Sequence, residues 1–147
     1  MVARGLSYPS PAGGNVETTT QILIVDDDAA SLAMHRDVLQ CAGFQVETAP
    51  DGVAALGICR TRKPQLVLLD LLMPGMDGGE VLQRLRNDER TKAISVIALT
   101  GVPEWLQSHR TSAAEFDDIL LKPVPEALLI ERVCRQIAAP PCKAVAA

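Results

Sequence analysis

A doubly wound α/β fold with a five-stranded parallel sheet is what this sequence predicts, and three observations predict it. Short apolar runs alternate with stretches of helical spacing along most of the 147 residues. The loops between them are short, and parallel strands need crossovers, which are right-handed. The central run, Leu66-Val67-Leu68-Leu69, is apolar without alternation, as in a strand buried on both faces. That run stops at Asp70 and is followed by Leu71-Leu72-Met73-Pro74-Gly75-Met76-Asp77-Gly78. A carboxylate therefore stands at the carboxyl end of a central strand, where open α/β sheets place their ligands.

Taken in order, residues 1–20 are rich in Pro, Gly, Ser and Thr and show no periodicity. They are expected to form a disordered tail, because they cannot bury enough apolar surface to offset ordering entropy. Ile22-Leu23-Ile24-Val25 is the first strand, ending at Asp26-Asp27-Asp28. Ala29 to Ala42 carries Leu32, His35, Val38 or Leu39, and Ala42 at helical spacing, with Gly43 as a stop. Phe44 to Ala49 alternates as a strand, Pro50-Asp51-Gly52 turns the chain, and Val53 to Arg62 reads as a helix ended before Pro64.

Gln65 to Asp70 is the central strand, and Gly79 to Asn87 is a helix with Val81, Leu82 and Leu85. After a polar loop, Ile94 to Thr100 is the fourth strand, ending at a hydroxyl before Gly101. Pro103 favours a helix start, so Glu104 to Ala114 is expected to be helical. Asp117 to Leu121 is the fifth strand, closed by Lys122-Pro123, and Pro125 opens a last helix through Leu128, Leu129, Val133 and Ile137. One domain over 21–138 results, with 139–147 a short tail. The flavodoxin-like strand order 2-1-3-4-5 makes strands 1 and 3 neighbours at the switch point.

Composition narrows the function classes. The size suits one domain and excludes a large multidomain enzyme. A net charge of −4 without a Lys/Arg run argues against direct nucleic-acid binding. No stretch is long enough to span a membrane, and Arg4 is followed by no apolar signal segment. Cys41, Cys59, Cys134 and Cys142 show no zinc-ligand spacing, which reads as reduced thiols in a cytoplasmic protein. His35 lies among the apolar positions of a helix and reads as a packed side chain rather than a ligand, and His109 has no carboxylate partner at ligand spacing.

With strands 1 and 3 adjacent, Asp26, Asp27 and Asp70 meet at one sheet edge. They would repel one another unless a cation sat among them. Hard oxygen ligands with an open side suit Mg2+, which keeps waters and takes one or two carboxylates plus a phosphate oxygen. Strand 4 brings the Thr100 hydroxyl and strand 5 the Lys122 ammonium. That set would serve phosphoryl transfer to Asp70, with Asp70 attacking, Mg2+ and Lys122 offsetting charge, and Thr100 positioning an oxygen.

Four motifs in order now carry a resemblance: Val25-Asp26-Asp27-Asp28; Leu69-Asp70 with Met73-Pro74-Gly75-Met76-Asp77-Gly78; Leu99-Thr100-Gly101; and Leu121-Lys122-Pro123. From about Gln21 to Ile137 the chain resembles the CheY-like receiver domains of two-component response regulators. The resemblance implies a receiver fold and Asp70 as the phospho-accepting aspartate. It further implies Asp27 as a direct Mg2+ ligand, Asp26 as the acid reaching the ion through water, and the Leu72 backbone carbonyl as a further metal ligand. Thr100 matches the switch hydroxyl and Lys122 the phosphate-binding lysine, whose bond to Pro123 is often cis in the family. The implied phosphodonor is a sensor histidine kinase or a histidine phosphotransfer protein, and the protein would be a regulatory phosphoprotein rather than an enzyme.

The chain departs from the family where Ile119 replaces the usual Tyr or Phe three residues before the lysine. An aliphatic side chain cannot make the ring swing that carries the usual readout. Ile119 is then either a packed strand residue, with smaller shifts of the loop after Thr100 carrying the signal, or the output surface lies elsewhere. The Ile119 surface with the helix before it is where a phosphorylation-dependent homodimer would form. Leu72 and Val102 correspond to positions flanking the phosphoryl group, and two apolar side chains there imply a long-lived aspartyl phosphate. Trp105 is a candidate partner contact.

With an initial Met and a short stub after Ile137, the expectation is a stand-alone receiver. A fragment of a hybrid kinase or larger regulator, and an unphosphorylated scaffold, are the alternatives. More remote is a phosphatase of the haloacid-dehalogenase kind, with Asp26 as nucleophile and Asp28 as acid-base.

Overall fold

A computed structural model describes residues 20–102, 104 and 115–137. Five strands are present among them: β1 (Ile22–Val25), β2 (Val46–Ala49), β3 (Leu66–Asp70), β4 (Ser95–Thr100) and β5 (Asp118–Leu121). The helices are α1 (Ala29–Cys41), α2 (Gly52–Arg62), α3 (Gly78–Arg86) and α4 (Glu126–Gln136). All strand pairs are parallel, in the order β2-β1-β3-β4-β5. The expected tails over 1–19 and 139–147, the helix expected over Glu104 to Ala114, and with it Trp105 and His109, lie outside the described residues apart from Glu104.

The central strands are buried along their whole length because side chains alternate between two covered faces. Leu23, Val25, Val67, Leu69, Val96 and Ala98 pack toward α2 and α3, which supply Ala55, Leu56, Cys59, Val81, Leu82 and Leu85. Ile22, Ile24, Leu66, Leu68, Ile97 and Leu99 pack on the other face against Leu39 of α1 and Leu129 and Val133 of α4. With few aromatic rings available, branched aliphatics fill both layers.

Local chemistry sets the element ends. Gly43 takes φ 103°, which stops the chain after α1. Asp51 caps α2 by accepting the Ala54 N–H at 2.8 Å, and Asp77 caps α3 by accepting the Glu80 N–H at 3.0 Å. Lys63 closes α2 in the left-handed region at φ 46°. β2 is shorter than the Phe44 to Ala49 run expected, because the Phe44 N–H goes back to the Leu39 carbonyl and the Gln45 N–H to the Gln21 side chain. Thr20, read as the end of the tail, is buried, and its hydroxyl donates to Glu47 at 2.8 Å.

Register places the site. Val25 pairs with Leu69, so Asp26 and Asp70 leave the sheet side by side. Thr100 pairs with Leu121, so Lys122 follows directly beside the end of β4.

Candidate functional site: an acidic pocket at the carboxyl edge of the sheet

One carboxylate oxygen from each of Asp26, Asp27 and Asp70 lies within 4.8 Å of the others. Asp26 and Asp70 are buried, and Asp27 is exposed. Lys122 reaches in from the end of β5, its Nζ 3.0 Å from Asp26 Oδ2 and 3.8 Å from Asp70 Oδ1. Three carboxylates facing one ammonium leave the pocket with an excess of negative charge.

The two buried carboxyls respond in opposite directions. Burial pushes both upward, since a desolvated charge is costly. At Asp26 that push is outweighed by the Asp28 N–H, which donates to Oδ1 at 3.0 Å, by Lys122 and by the Ser31 hydroxyl, so its pKa falls below the ordinary value. Asp70 is pushed up to about 6: burial outweighs the attraction of Lys122, and the charge of Asp26 adds to burial. Only the Leu72 N–H, 3.4 Å from Oδ1, and the more distant Lys122 help to hold its charge.

Thr100 is fully buried, and its hydroxyl is engaged by its own loop. It donates to the Val102 carbonyl at 3.1 Å and accepts the Val102 N–H at 2.9 Å. No hydrogen bond joins it to Asp70 among the described residues. Leu72 and Val102, whose backbone N–H groups meet Asp70 and Thr100, are exposed, 55% and 39% respectively. Ile119 is half-buried and packs against the core layer of α2 and α3. The Lys122–Pro123 peptide bond is cis.

Sequence reasoning overlooked two residues that support the pocket. Ser31, in the first turn of α1, places a hydroxyl that helps to lower the Asp26 pKa; its position relative to the acid triplet was a usable signal. Gly78 brings the first turn of α3 so close to β3 that a Cβ there would sit 2.9 Å from the Asp70 carbonyl oxygen and 2.8 Å from Leu71 Cα. His35 packs inside α1's buried face as expected; burial, with the charge of Lys122, holds its pKa below the usual value.

Residues 22–134 match the response regulator receiver domain. The chain belongs to that family. Phosphorylation and Mg2+ binding are general features of such domains in two-component systems. Over 113 residues this receiver is 37% identical to RpaA of Synechocystis, a DNA-binding dual master transcriptional regulator, covering 77% of the present chain and 47% of RpaA. It is 36% identical over 118 residues to the response regulator PleD of Caulobacter vibrioides, covering 78% of the chain and 25% of PleD. The chain thus spans about half the length of the first of these relatives and a quarter of the second. Among solved structures, TrrA of Thermotoga maritima, in complex with Mg2+ and BeF, shares 28% identity at a TM-score of 0.72, covering 81% of this chain and all of that one.

The residues of the acidic pocket fit a Mg2+ ion. Hard carboxylate oxygens clustered on one open side are its preferred donors. A carboxyl held protonated to about pH 6 by burial and a like-charged neighbour is one that a dication would readily ionise.

Proposed function

We propose that Asp70 accepts a phosphoryl group from a phosphohistidine donor, a sensor histidine kinase or a histidine phosphotransfer protein. In this reading the receiver then presents an altered surface to a partner protein. The observation that carries it is the meeting of Asp26, Asp27 and Asp70 within 4.8 Å, with a lysine at their edge.

Asp27, Asp70 and the Leu72 backbone carbonyl would hold Mg2+ directly, and Asp26 through water. The ion supplies positive charge against the phosphoryl oxygens. Of the two buried carboxylates Asp70 is the better suited to attack, because its oxygens are less committed: Asp26 accepts hydrogen bonds from Lys122 and the Asp28 N–H at 3.0 Å, whereas Asp70 has one long hydrogen bond, from the Leu72 N–H, and Lys122 at 3.8 Å. Lys122 need move only from one carboxylate to the other to pair with a group on Asp70. The Thr100 hydroxyl would leave Val102 and donate to a phosphoryl oxygen, shifting the loop that follows β4. Ile119, paired with Ala98 of β4 and packed against the core, would transmit the shift by repacking rather than by a ring swing. The two apolar rim residues, Leu72 and Val102, offer no group to orient a hydrolytic water, which supports a long-lived phosphoryl group. Such a domain regulates by its state and turns over no external substrate.

The same commitment of Asp26 speaks against the phosphatase reading, which needs Asp26 as the nucleophile. The complete set of acids, hydroxyl and lysine speaks against a scaffold that is never phosphorylated. We place the domain in the cytoplasm with its phosphodonor; no helix of the described residues is long and apolar enough to cross a membrane. RpaA is named as DNA-binding. For this domain the net charge of −4 favours protein partners over direct DNA contact, with a homodimer formed on phosphorylation as one form of that contact. A receiver acting alone has a counterpart in size in TrrA, matched end to end, whereas in RpaA and PleD the matched stretch is part of a longer protein.

The test is intact mass after incubation with Mg2+ and a small acyl-phosphate donor, beside Asp70→Asn. One added phosphate, absent in the variant and absent without Mg2+, is the expected result. Phosphate retained in the variant would assign the wrong aspartate. No phosphate from either the acyl phosphate or a purified phosphohistidine donor would leave the scaffold reading.

A further inference from the structure

The helices α2 and α3 begin at the acidic edge of the sheet and end at the opposite edge. There, with the loop after α3, they border an open cavity of about 350 Å3 lined by Leu56, Arg60, Arg84, Asn87, Asp88 and Arg90. That volume lies within the roughly 300–1,000 Å3 usual for small-molecule sites, but the lining is cationic rather than apolar. Three guanidiniums converge on it from three elements, Arg60 from α2, Arg84 from α3 and Arg90 from the loop.

Their charges are not balanced. Asp88 Oδ2 is 3.0 Å from Arg90 Nη2 and 3.9 Å from Arg60 Nε, so one carboxylate answers to two guanidiniums. Arg90 takes both oxygens of that carboxylate, Nε reaching Oδ1 at 3.1 Å. Arg84 is satisfied by Glu80 at 2.9 Å, one turn back on α3. Arg60 is left with an ion pair too long for a hydrogen bond. Its side chain is only 35% exposed, and none of its five N–H donors is hydrogen-bonded within the described residues.

Arginines near the carboxyl ends of helices also offset the helix dipole, which accounts for their sign but not for their convergence. Arg86, in the same turn of α3 as Arg84, shows how a structural arginine is used here. It donates to the Lys92 and Ile94 carbonyls and pairs with Asp117. Arg60 does nothing comparable and faces a cavity instead.

We propose that this cavity binds a small phosphate monoester, with the Arg60 guanidinium as its principal anchor and Arg90 beside it. Guanidinium N–H pairs match phosphate oxygens in a bidentate manner. Asp88 and Glu80 cancel two of the three positive charges, so the site suits a single compact anion rather than a polyphosphate or a nucleic-acid backbone. Leu56 provides an apolar wall for the organic group, and Asn87 adds an uncharged polar residue to the lining. The site is independent of Asp70 and stands whatever the phosphorylation chemistry proves to be.

The test is a titration of the 15N-labelled full chain at constant ionic strength, following backbone amides and arginine Nε–H signals. The probes are adenosine 5′-monophosphate, inorganic phosphate and chloride. Saturable shifts at Arg60, Arg90 and Asn87 with the nucleotide are expected. Arg60→Gln should weaken that binding about tenfold or more, the loss of one charge-assisted bidentate contact. Arg62→Gln, which removes a neighbouring positive charge paired with Glu47 outside this cavity, should leave it unchanged. Equal shifts with chloride, or equal weakening by both variants, would reduce the site to general charge screening and overturn the proposal. Equal affinity for inorganic phosphate and the nucleotide would take Leu56 and Asn87 out of the contact and overturn the monoester assignment. Because Arg60 makes no hydrogen bond, Arg60→Gln should retain the parent amide spectrum outside the cavity.

Discussion

Lys122 is hydrogen-bonded to Asp26 at 3.0 Å while standing 3.8 Å from Asp70. The ammonium at the acidic pocket is thus committed to the carboxylate that is not proposed to react. The pairing keeps Asp26 ionised in a buried place and leaves Asp70 short of stabilising partners. Replacing Lys122 by Met should therefore destabilise the metal-free protein by about 3 kcal/mol, the low end for breaking a buried pair, since Lys122 keeps part of its side chain in water. Urea unfolding would measure this. Adding Asp26→Asn to Lys122→Met should recover stability, because no buried charge is then left unpaired. A double variant weaker than the single one would show that the pair does not set the cost.

Asp70 makes stability depend on pH. Its carboxyl sits at about 6 in the folded protein against a reference of 3.8. Between those values the folded state holds more protons than the unfolded state, so stability falls as pH rises through the window, and the full penalty is present above it. Asp70→Asn should abolish that penalty and be more stable than the parent at pH 7.5 by on the order of 1–3 kcal/mol. The two proteins should converge near pH 4. Urea unfolding of metal-free protein across this range gives the comparison, and millimolar Mg2+ should narrow the gap at pH 7.5. Parallel curves for the two proteins would show that Asp70 is not the strained carboxyl.

Two glycines should respond oppositely to alanine. At Gly78 a Cβ would press on the Asp70 carbonyl oxygen and Leu71 Cα, both backbone atoms. Gly78→Ala should cost about 1–3 kcal/mol as an overpacked site and weaken Mg2+ binding by displacing the turn after Asp70. Gly57 lies exposed inside α2 with nothing within 4 Å of a Cβ, so Gly57→Ala should stabilise by about 0.5–1 kcal/mol. Thermal melts with a Mg2+ titration would separate the two effects.

The rim of the pocket should set the lifetime of a phosphoryl group. Leu72, exposed and two residues from Asp70, is proposed to flank that group, and Leu72→Asn adds an amide able to position water. Once the donor is removed, the phosphorylated variant should lose its added mass several-fold faster than the parent. Equal decay in both would remove Leu72 from control of hydrolysis.

The order and ends of the strands were legible because period and chain direction encode them. Leu66 to Asp70 could be read as a central strand from its unbroken apolar run, and the four motifs fell at strand ends because short loops begin there. Boundaries slipped by a residue or two where a side chain competes with the ladder. Phe44 and Gln45 left β2 because their N–H groups found the Leu39 carbonyl and the Gln21 side chain.

What the sequence by itself determined is the set of functional groups and the edge on which they gather. Hydrophobic pattern and right-handed crossovers permit few arrangements of five such strands. Only the tertiary structure decided how those groups divide the charge among themselves. Which carboxylate Lys122 favours turns on less than an ångström, the Thr100 hydroxyl turns to Val102, and which of two neighbouring aspartates holds its proton to about pH 6 turns on burial and on partners. Electrostatic energies in a desolvated pocket are steep in distance and dielectric, and neither quantity is written in residue order.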